Sequence, residues 1–234
     1  MRILVTRPEA DAKPLAKRLK AMGMEVILEP LLLIEFLDGP ELDLSGVQAF
    51  LATSANGVRA LARRCRDRAC PVYAVGDASA RAAREAGFTK IVCASGDVEA
   101  LAQTAAARLD PKSGSLVHAA GTKLAGDLKG LLEAQGFDYR RCILYQAKKA
   151  ENFSGATLKA LAEANIDGVL LFSPRTGRAF VELLNKAGLE AACRSAVAYC
   201  LSPAVAAEIK GVQWRQVRVA ARPDQDSLLK TLNN

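Results

Sequence analysis

Leu51-Ala52-Thr53-Ser54-Ala55-Asn56-Gly57-Val58-Arg59-Ala60 and Leu170-Leu171-Phe172-Ser173-Pro174-Arg175-Thr176-Gly177-Arg178-Ala179 follow one plan. Each is an apolar run, then a serine, then a stretch that reads as the opening of a helix capped by that serine. Working outward, Val72-Tyr73-Ala74-Val75-Gly76 corresponds to Val197-Ala198-Tyr199-Cys200-Leu201. Ile3-Leu4-Val5-Thr6 through Gly23 likewise parallels Leu116-Val117-His118-Ala119 through Gly136. Agreement of three segments in the same order gives the pattern A-B-A′-B′, two copies of one α/β unit.

Short apolar strands alternate with amphipathic helices along the whole chain, which predicts parallel sheets with helices on both faces. Strands are expected at residues 3–6, 26–28, 47–53, 72–75, 90–94, 115–119, 143–145, 169–173, 196–201 and 217–220. The first helix places Leu15, Leu19 and Met22 on one face and stops at Gly23. The second aligns Val58, Leu61 and Cys65.

With 234 residues and half of them hydrophobic, the chain can form one large or two small cores. The candidate apolar run Leu31-Leu32-Leu33-Ile34 is flanked by Glu29 and Glu35, and no apolar stretch approaches the length of a bilayer span. The chain opens on Arg2-Ile3-Leu4-Val5-Thr6, a strand pattern with no signal-peptide character, so a cytoplasmic protein is expected. Six cysteines without C-x-x-C spacing and a single histidine, His118, argue against a zinc site and against a Ser/His/Asp triad. His118, inside an apolar run, reads as a strand residue.

A formal net charge of +7 points to an anionic partner. The densest basic run, Arg59, Arg63, Arg64, Arg66 and Arg68, is spread around a helix and reads as a solvated face. Few aromatics are interleaved for base stacking, so nucleic acid is disfavoured and a small polyanion preferred. Gly121-Thr122-Lys123-Leu124-Ala125-Gly126 has the glycine spacing of a phosphate loop, but Asp127-Leu128 follow where Lys and Ser/Thr are required. No G-x-G-x-x-G opens a helix, so ATP and NAD are disfavoured.

Ligands of open parallel sheets gather beyond the carboxyl ends of the strands. There the sequence places Thr6-Arg7, Thr53-Ser54, Gly76-Asp77, Gly121-Thr122-Lys123, Ser173-Pro174-Arg175 and Ser202-Pro203, each expected to precede a helix. Helix N-termini favour anions. Any one of these hydroxyls is accounted for by capping alone, but six such ends suggest one ligand with many anionic groups.

The ordered set Thr53-Ser54-Ala55-Asn56-Gly57-Val58, Ala74-Val75-Gly76 with Ser79-Ala80, Leu144-Tyr145-Gln146, Phe172-Ser173-Pro174, and Cys200-Leu201-Ser202 with Val205-Ala206 resembles the uroporphyrinogen-III synthase family. Val5-Thr6-Arg7-Pro8 fits as well, and the resemblance spans essentially the whole chain. Ser79 stands where the family usually has threonine, and the Gly121 loop lacks an arginine often found there.

The resemblance implies two α/β, flavodoxin- or Rossmann-like parallel-sheet domains joined by a two-stranded linker, with internal duplication. Domain one would comprise residues 1–35 and 149–234, domain two residues 38–145, and the linkers 33–38 and 145–150. It implies a monomeric lyase that closes hydroxymethylbilane, a linear tetrapyrrole with eight carboxylates, to uroporphyrinogen III. Water is lost and the last pyrrole is inverted, in haem and porphyrin synthesis, without metal, cofactor, nucleic-acid or membrane partner. Tyr145 matches the tyrosine proposed as general acid in the family. The substrate-binding residues would be Arg7, Thr53, Ser54, Ala55, Asn56, Gly76, Gly121, Lys123, Ser173, Pro174, Arg175 and Ser202. The alternative from another class is a non-catalytic two-lobed binding protein for an anionic small ligand.

Overall fold

The strand-then-helix alternation is realised, except for three consecutive strands between residues 25 and 52, in a computed structural model that describes residues 1–94, 96–124 and 126–233. Ser95, Ala125 and Asn234 lie outside the described residues; Ala125 falls in the glycine-spaced stretch 121–126, and Asn234 ends the segment assigned above to domain one. In chain order the elements are β1 (Arg2–Val5), α1 (Glu9–Ala21), β2 (Glu25–Leu28), β3 (Leu32–Phe36), β4 (Val47–Ala52), α2 (Ala55–Arg64), β5 (Val72–Ala74), α3 (Asp77–Glu85), β6 (Ile91–Cys93) and α4 (Val98–Ala106). They continue as β7 (Ser115–Gly121), α5 (Leu128–Glu133), β8 (Tyr139–Lys149), α6 (Gly155–Ala162), β9 (Gly168–Leu171), α7 (Pro174–Ala187), β10 (Val197–Cys200), α8 (Pro203–Ala207), β11 (Gln216–Val219) and α9 (Gln225–Lys230).

The chain forms two compact units, Met1–Leu33 with Lys148–Asn234, and Ile34–Ala147. It leaves the first within β3 and returns within β8. The first unit holds a five-stranded sheet ordered β11-β10-β9-β1-β2, all of its pairings parallel. The second holds a six-stranded sheet ordered β3-β8-β7-β4-β5-β6, parallel from β8 to β6. With edge strand β3 set aside, starting the second unit's strands at β7 instead of β4 gives the order second-first-third-fourth-fifth in both sheets.

Both faces of each sheet are buried, and the period-two alternation sorts the side chains between them. In the first unit Leu4, Val169, Leu171, Ala198 and Cys200 pack with Phe180, Leu184 and Leu161 of α7 and α6. Ile3, Val5, Leu170, Val197 and Tyr199 face the opposite way, onto Leu15 and Leu19 of α1 and Leu228 of α9. The second unit repeats the arrangement. Phe50, Ala52, Val117 and Ala119 lie under α2 and α3, and Ala49, Leu51, Tyr73 and Leu116 under α4 and α5. Each fully buried Leu, Ile or Phe contributes roughly 1.5–3 kcal/mol, so a one-residue slip of any of these strands would be strongly opposed.

Three expectations change. The list of strands gains β3, in a stretch expected to form part of a two-stranded linker, and β8 extends well beyond residues 143–145; both have weak apolar alternation, with exposed Leu33 and Ile143. Met22 is exposed, because α1 ends one residue before it. The arginine run is not simply a solvated face. The Arg63 guanidinium lies 4.5 Å from the Phe36 ring centre, and Arg64 donates to the carbonyls of Leu37 and Pro40. Arg68 covers Phe88 and donates to the Ala62 and Cys65 carbonyls at the end of α2 and to that of Ala86. Guanidinium groups here cover apolar rings and satisfy carbonyls that a helix terminus leaves unpaired.

Candidate active site

The serines at the two decisive strand ends do what their sequence context predicts. Ser54 Oγ accepts from the Gly57 N–H at 3.0 Å, and Ser173 Oγ accepts from the Thr176 N–H at 3.1 Å, so each caps its helix. Ser173 Oγ also bonds Thr176 Oγ1. Ala55 and Asn56 form the first turn of α2, where Asn56 Oδ1 accepts from Arg59. Gly57 lies so close to Ala119 of β7 that a Cβ would collide with the Ala119 carbonyl oxygen. The first turn of α2 is therefore seated directly on β7.

That seating brings β8 into the site. β7 and β8 pair in parallel with His118 opposite Arg141 and Ala120 opposite Ile143, but Gly121 pairs with Tyr145, one residue out of step. The bulge sets both Leu144 and Tyr145 against the cluster beneath α2. The Tyr145 ring covers Gly121, where a Cβ would lie 2.8 Å from ring atom Cζ. Its hydroxyl is 2.7 Å from Ser54 Oγ. Arg141 donates to the carbonyls of Gly121 (2.8 Å) and Thr122 (3.0 Å), and the Thr122 N–H donates to the Tyr145 carbonyl, fixing the strand end under the ring.

Behind this group lies a buried polar chain. Thr53 Oγ1 is 3.0 Å from His118 Nε2, and His118 Nδ1 is 2.6 Å from Tyr139 Oη. Burial, assisted by the Arg141 charge, lowers the His118 pKa to about 4, so the ring is neutral at pH 7. Burial pushes the Tyr139 phenol up to about 12. The structure thus brings together Thr53, Ser54, Ala55, Asn56, Gly121 and Tyr145 of the second unit. Gly76, at the N-terminus of α3, has open space where a Cβ would be. Lys123 is exposed beyond β7. The expectation that a helix directly follows Gly121-Thr122-Lys123 is corrected: α5 begins only at Leu128, capped by Asp127.

In the first unit, Thr6 is buried and donates to the Leu170 carbonyl at 2.7 Å, so its hydroxyl is taken up by the sheet. Arg7 lies over the Phe172 ring, donates to Gln225 Oε1 at 2.8 Å and pairs with Asp11 at 3.6 Å. Pro174 and Arg175 open α7. Ser202 precedes the short α8 and makes no capping bond through its side chain. Tyr139 and Arg141 were not singled out in the sequence, and His118 was read only as a strand residue. Their roles depend on cross-strand pairing, which leaves no local pattern. Among the described residues no group of three His, Cys, Asp or Glu side chains could hold a metal ion, and no helix is long and apolar enough to cross a membrane.

The sequence profile of uroporphyrinogen-III synthase HemD matches residues 13–230. The chain belongs to the uroporphyrinogen-III synthase family. It is therefore an enzyme of porphyrin and haem biosynthesis whose activity is uroporphyrinogen-III synthesis, and its substrate is a small-molecule tetrapyrrole. No curated protein matches it in sequence. Among solved structures it is similar to uroporphyrinogen-III synthetase from Helicobacter pylori, at 17% identity over 100% of this chain and 99% of that one, with a TM-score of 0.64. A mutant uroporphyrinogen III synthase from the extremely thermophilic bacterium Thermus thermophilus is similar at 18% identity over 100% and 97%, with a TM-score of 0.53. At such identities the likeness bears on the fold: α/β with parallel sheets.

Proposed function

We propose that the protein is a lyase that converts hydroxymethylbilane to uroporphyrinogen III with Tyr145 as the proton donor, using no metal or cofactor. The observation that carries the assignment of roles is the Tyr145 hydroxyl held 2.7 Å from Ser54 at the N-terminus of α2. Loss of the substrate hydroxyl needs a proton on the leaving oxygen, and the electron-rich pyrrole then carries the positive charge. Tyr145 supplies that proton, leaving negative charge on its oxygen. A hydroxyl donor and a helix N-terminus are suited to stabilise that charge. A positioned general acid contributes roughly 10²–10⁴-fold. Attack at a substituted carbon, which inverts the last ring, is then a matter of holding the cation in the right orientation.

Substrate carboxylates are held by Thr53, Ser54, Ala55, Asn56, Gly76, Gly121 and Lys123 in the second unit. In the first unit the corresponding groups are Arg7, Ser173, Pro174, Arg175 and Ser202. Backbone N–H groups of α2, α3 and α7 supply donors that survive side-chain truncation. The rotated but equal strand orders support internal duplication, with domains at 1–35 plus 149–234 and 38–145 joined by a two-stranded linker. A cytoplasmic monomer acting without nucleic acid or membrane completes the reading. Nothing observed favours the non-catalytic binding protein. Incubating the purified protein with hydroxymethylbilane and separating the uroporphyrinogen isomers tests the proposal: type III is expected above the uncatalysed type I background, and type I alone would overturn it.

A further inference from the structure

Arg141 lies on β8 opposite His118 of β7. Tyr139 packs with the cluster beneath α4 and α5, and Arg141, two residues on, shares that face of the sheet. Tyr145, brought round by the one-residue bulge, packs on the other face, beneath α2. Between them runs the end of β7. The Tyr145 ring rests on Gly121 from one side. From the other, Arg141 Nη2 donates to the Gly121 carbonyl at 2.8 Å and to the Thr122 carbonyl at 3.0 Å. Consecutive carbonyls of an extended strand point to opposite edges, so one nitrogen can meet both only where the chain turns. The chain does bend at Thr122, immediately after β7. A guanidinium is suited to hold such a bend, because each terminal nitrogen carries two N–H donors fixed in one plane. Among the described residues Arg141 makes no ion pair, so these two carbonyls are its anchors.

The bend is tied to the tyrosine twice. The Thr122 N–H donates to the Tyr145 carbonyl at 3.1 Å, and Gly121 is the floor beneath the ring, with no room even for a Cβ. Movement of Gly121 therefore moves or loosens the ring, and with it the hydroxyl 2.7 Å from Ser54 Oγ. The ladder is interrupted at this point by the register shift between Ala120 and Gly121, which gives such side-chain bonds their weight.

We propose that Arg141 is a positioning residue: by holding the bend after β7 from the far face of the sheet, it keeps the Tyr145 hydroxyl at Ser54 and so governs which isomer forms. The proposal rests on the synthase reading, with Tyr145 as proton donor, and deepens it by naming the group that sets the donor in place without touching substrate.

Because Arg141 is exposed, its replacement opens no cavity in the core. Arg141→Met is expected to lower kcat for type III formation roughly ten-fold and to raise the type I fraction, as for a misplaced catalytic group. KM for hydroxymethylbilane should change less than about two-fold. On the Tyr145→Phe background Arg141→Met should add less than about two-fold, because both remove the same function. Arg141→Lys, which keeps the charge and a donor, should recover most of the loss. Arg141→Gln, whose shorter amide gives up the pair of bonds, repeats the comparison if the methionine variant does not fold. A readout without substrate comes from protein labelled with ¹³Cζ-tyrosine. Of its four tyrosine lines, that of Tyr145 is identified by its loss in Tyr145→Phe. That line should move in Arg141→Met and return toward its parent position in Arg141→Lys. An unmoved line, or parent kcat and isomer ratio in folded Arg141→Met, overturns the proposal and leaves the synthase reading intact. Full additivity with Tyr145→Phe overturns it as well. Failure of the parent protein to make type III product counts against the synthase reading, and the Tyr145 line then decides the positioning alone.

Discussion

The Tyr145 hydroxyl is 2.7 Å from Ser54 Oγ, joining the middle of β8 to the N-terminus of a helix 91 residues earlier in the chain. Tyr145→Phe removes the proposed proton donor and keeps the ring that packs over Gly121. Because the bilane also closes without enzyme to the type I isomer, the variant should lose control of the product more than closure itself. Formation of type III is expected to fall roughly ten-fold or more, with a rising type I fraction in chromatographic separation of the isomers. Parent-rate type III formation by the folded variant would remove Tyr145 from the chemistry.

Ser54 and Ser173 are matched caps that differ in one contact. Each Ser→Ala should cost about 1 kcal/mol of stability, read by urea unfolding, because each loses an N-cap bond. Only Ser54→Ala also releases Tyr145. Isomer control should therefore suffer more in Ser54→Ala than in Ser173→Ala; equal effects would show that the Ser54–Tyr145 contact has no part in it.

Glycine at 121 is required by the tyrosine above it. Gly121→Ala would place a Cβ 2.8 Å from Tyr145 Cζ, so the ring must shift from the position that gives its contact with Ser54. Gly155→Ala, in the first turn of α6, meets nothing within 4 Å and serves as the control. The type III fraction should fall in Gly121→Ala and hold in Gly155→Ala, measured under identical assay conditions.

Stability should depend on pH through His118. Its folded pKa of about 4 lies below the ordinary value of 6.5, so between the two the unfolded chain binds more protons. The stabilisation is complete above pH 6.5 and is lost as pH falls toward 4, by up to about 3 kcal/mol. Urea unfolding between pH 7 and pH 4 should show this slope, and His118→Leu should flatten it whatever its absolute stability.

Recognition of a polycarboxylate by a chain of net charge +7 should be electrostatic in large part. KM for the bilane is expected to rise with ionic strength as the Debye length shortens from about 30 Å at 0.01 M to about 8 Å at 0.15 M. A flat salt dependence would assign recognition to short-range contacts alone.

The sequence by itself determined most of the elements and their class. Apolar runs such as Phe50–Ala52 and Val169–Leu171 can be buried on both faces only in a parallel sheet under two helical layers, and a serine before a helix start is its own capping signal. The positions of Ser54 and Ser173 at strand ends were legible for the same reason: they depend on neighbours a few residues away. The tertiary structure alone decided what those residues touch. The one-residue bulge between Ala120 and Gly121 turns Tyr145 toward Ser54, and a period-two pattern has no sign for a bulge. The Thr53–His118–Tyr139 chain depends on β7 lying between β4 and β8. Strand order is set by packing the whole unit, so residues remote in sequence meet at distances that local pattern does not encode.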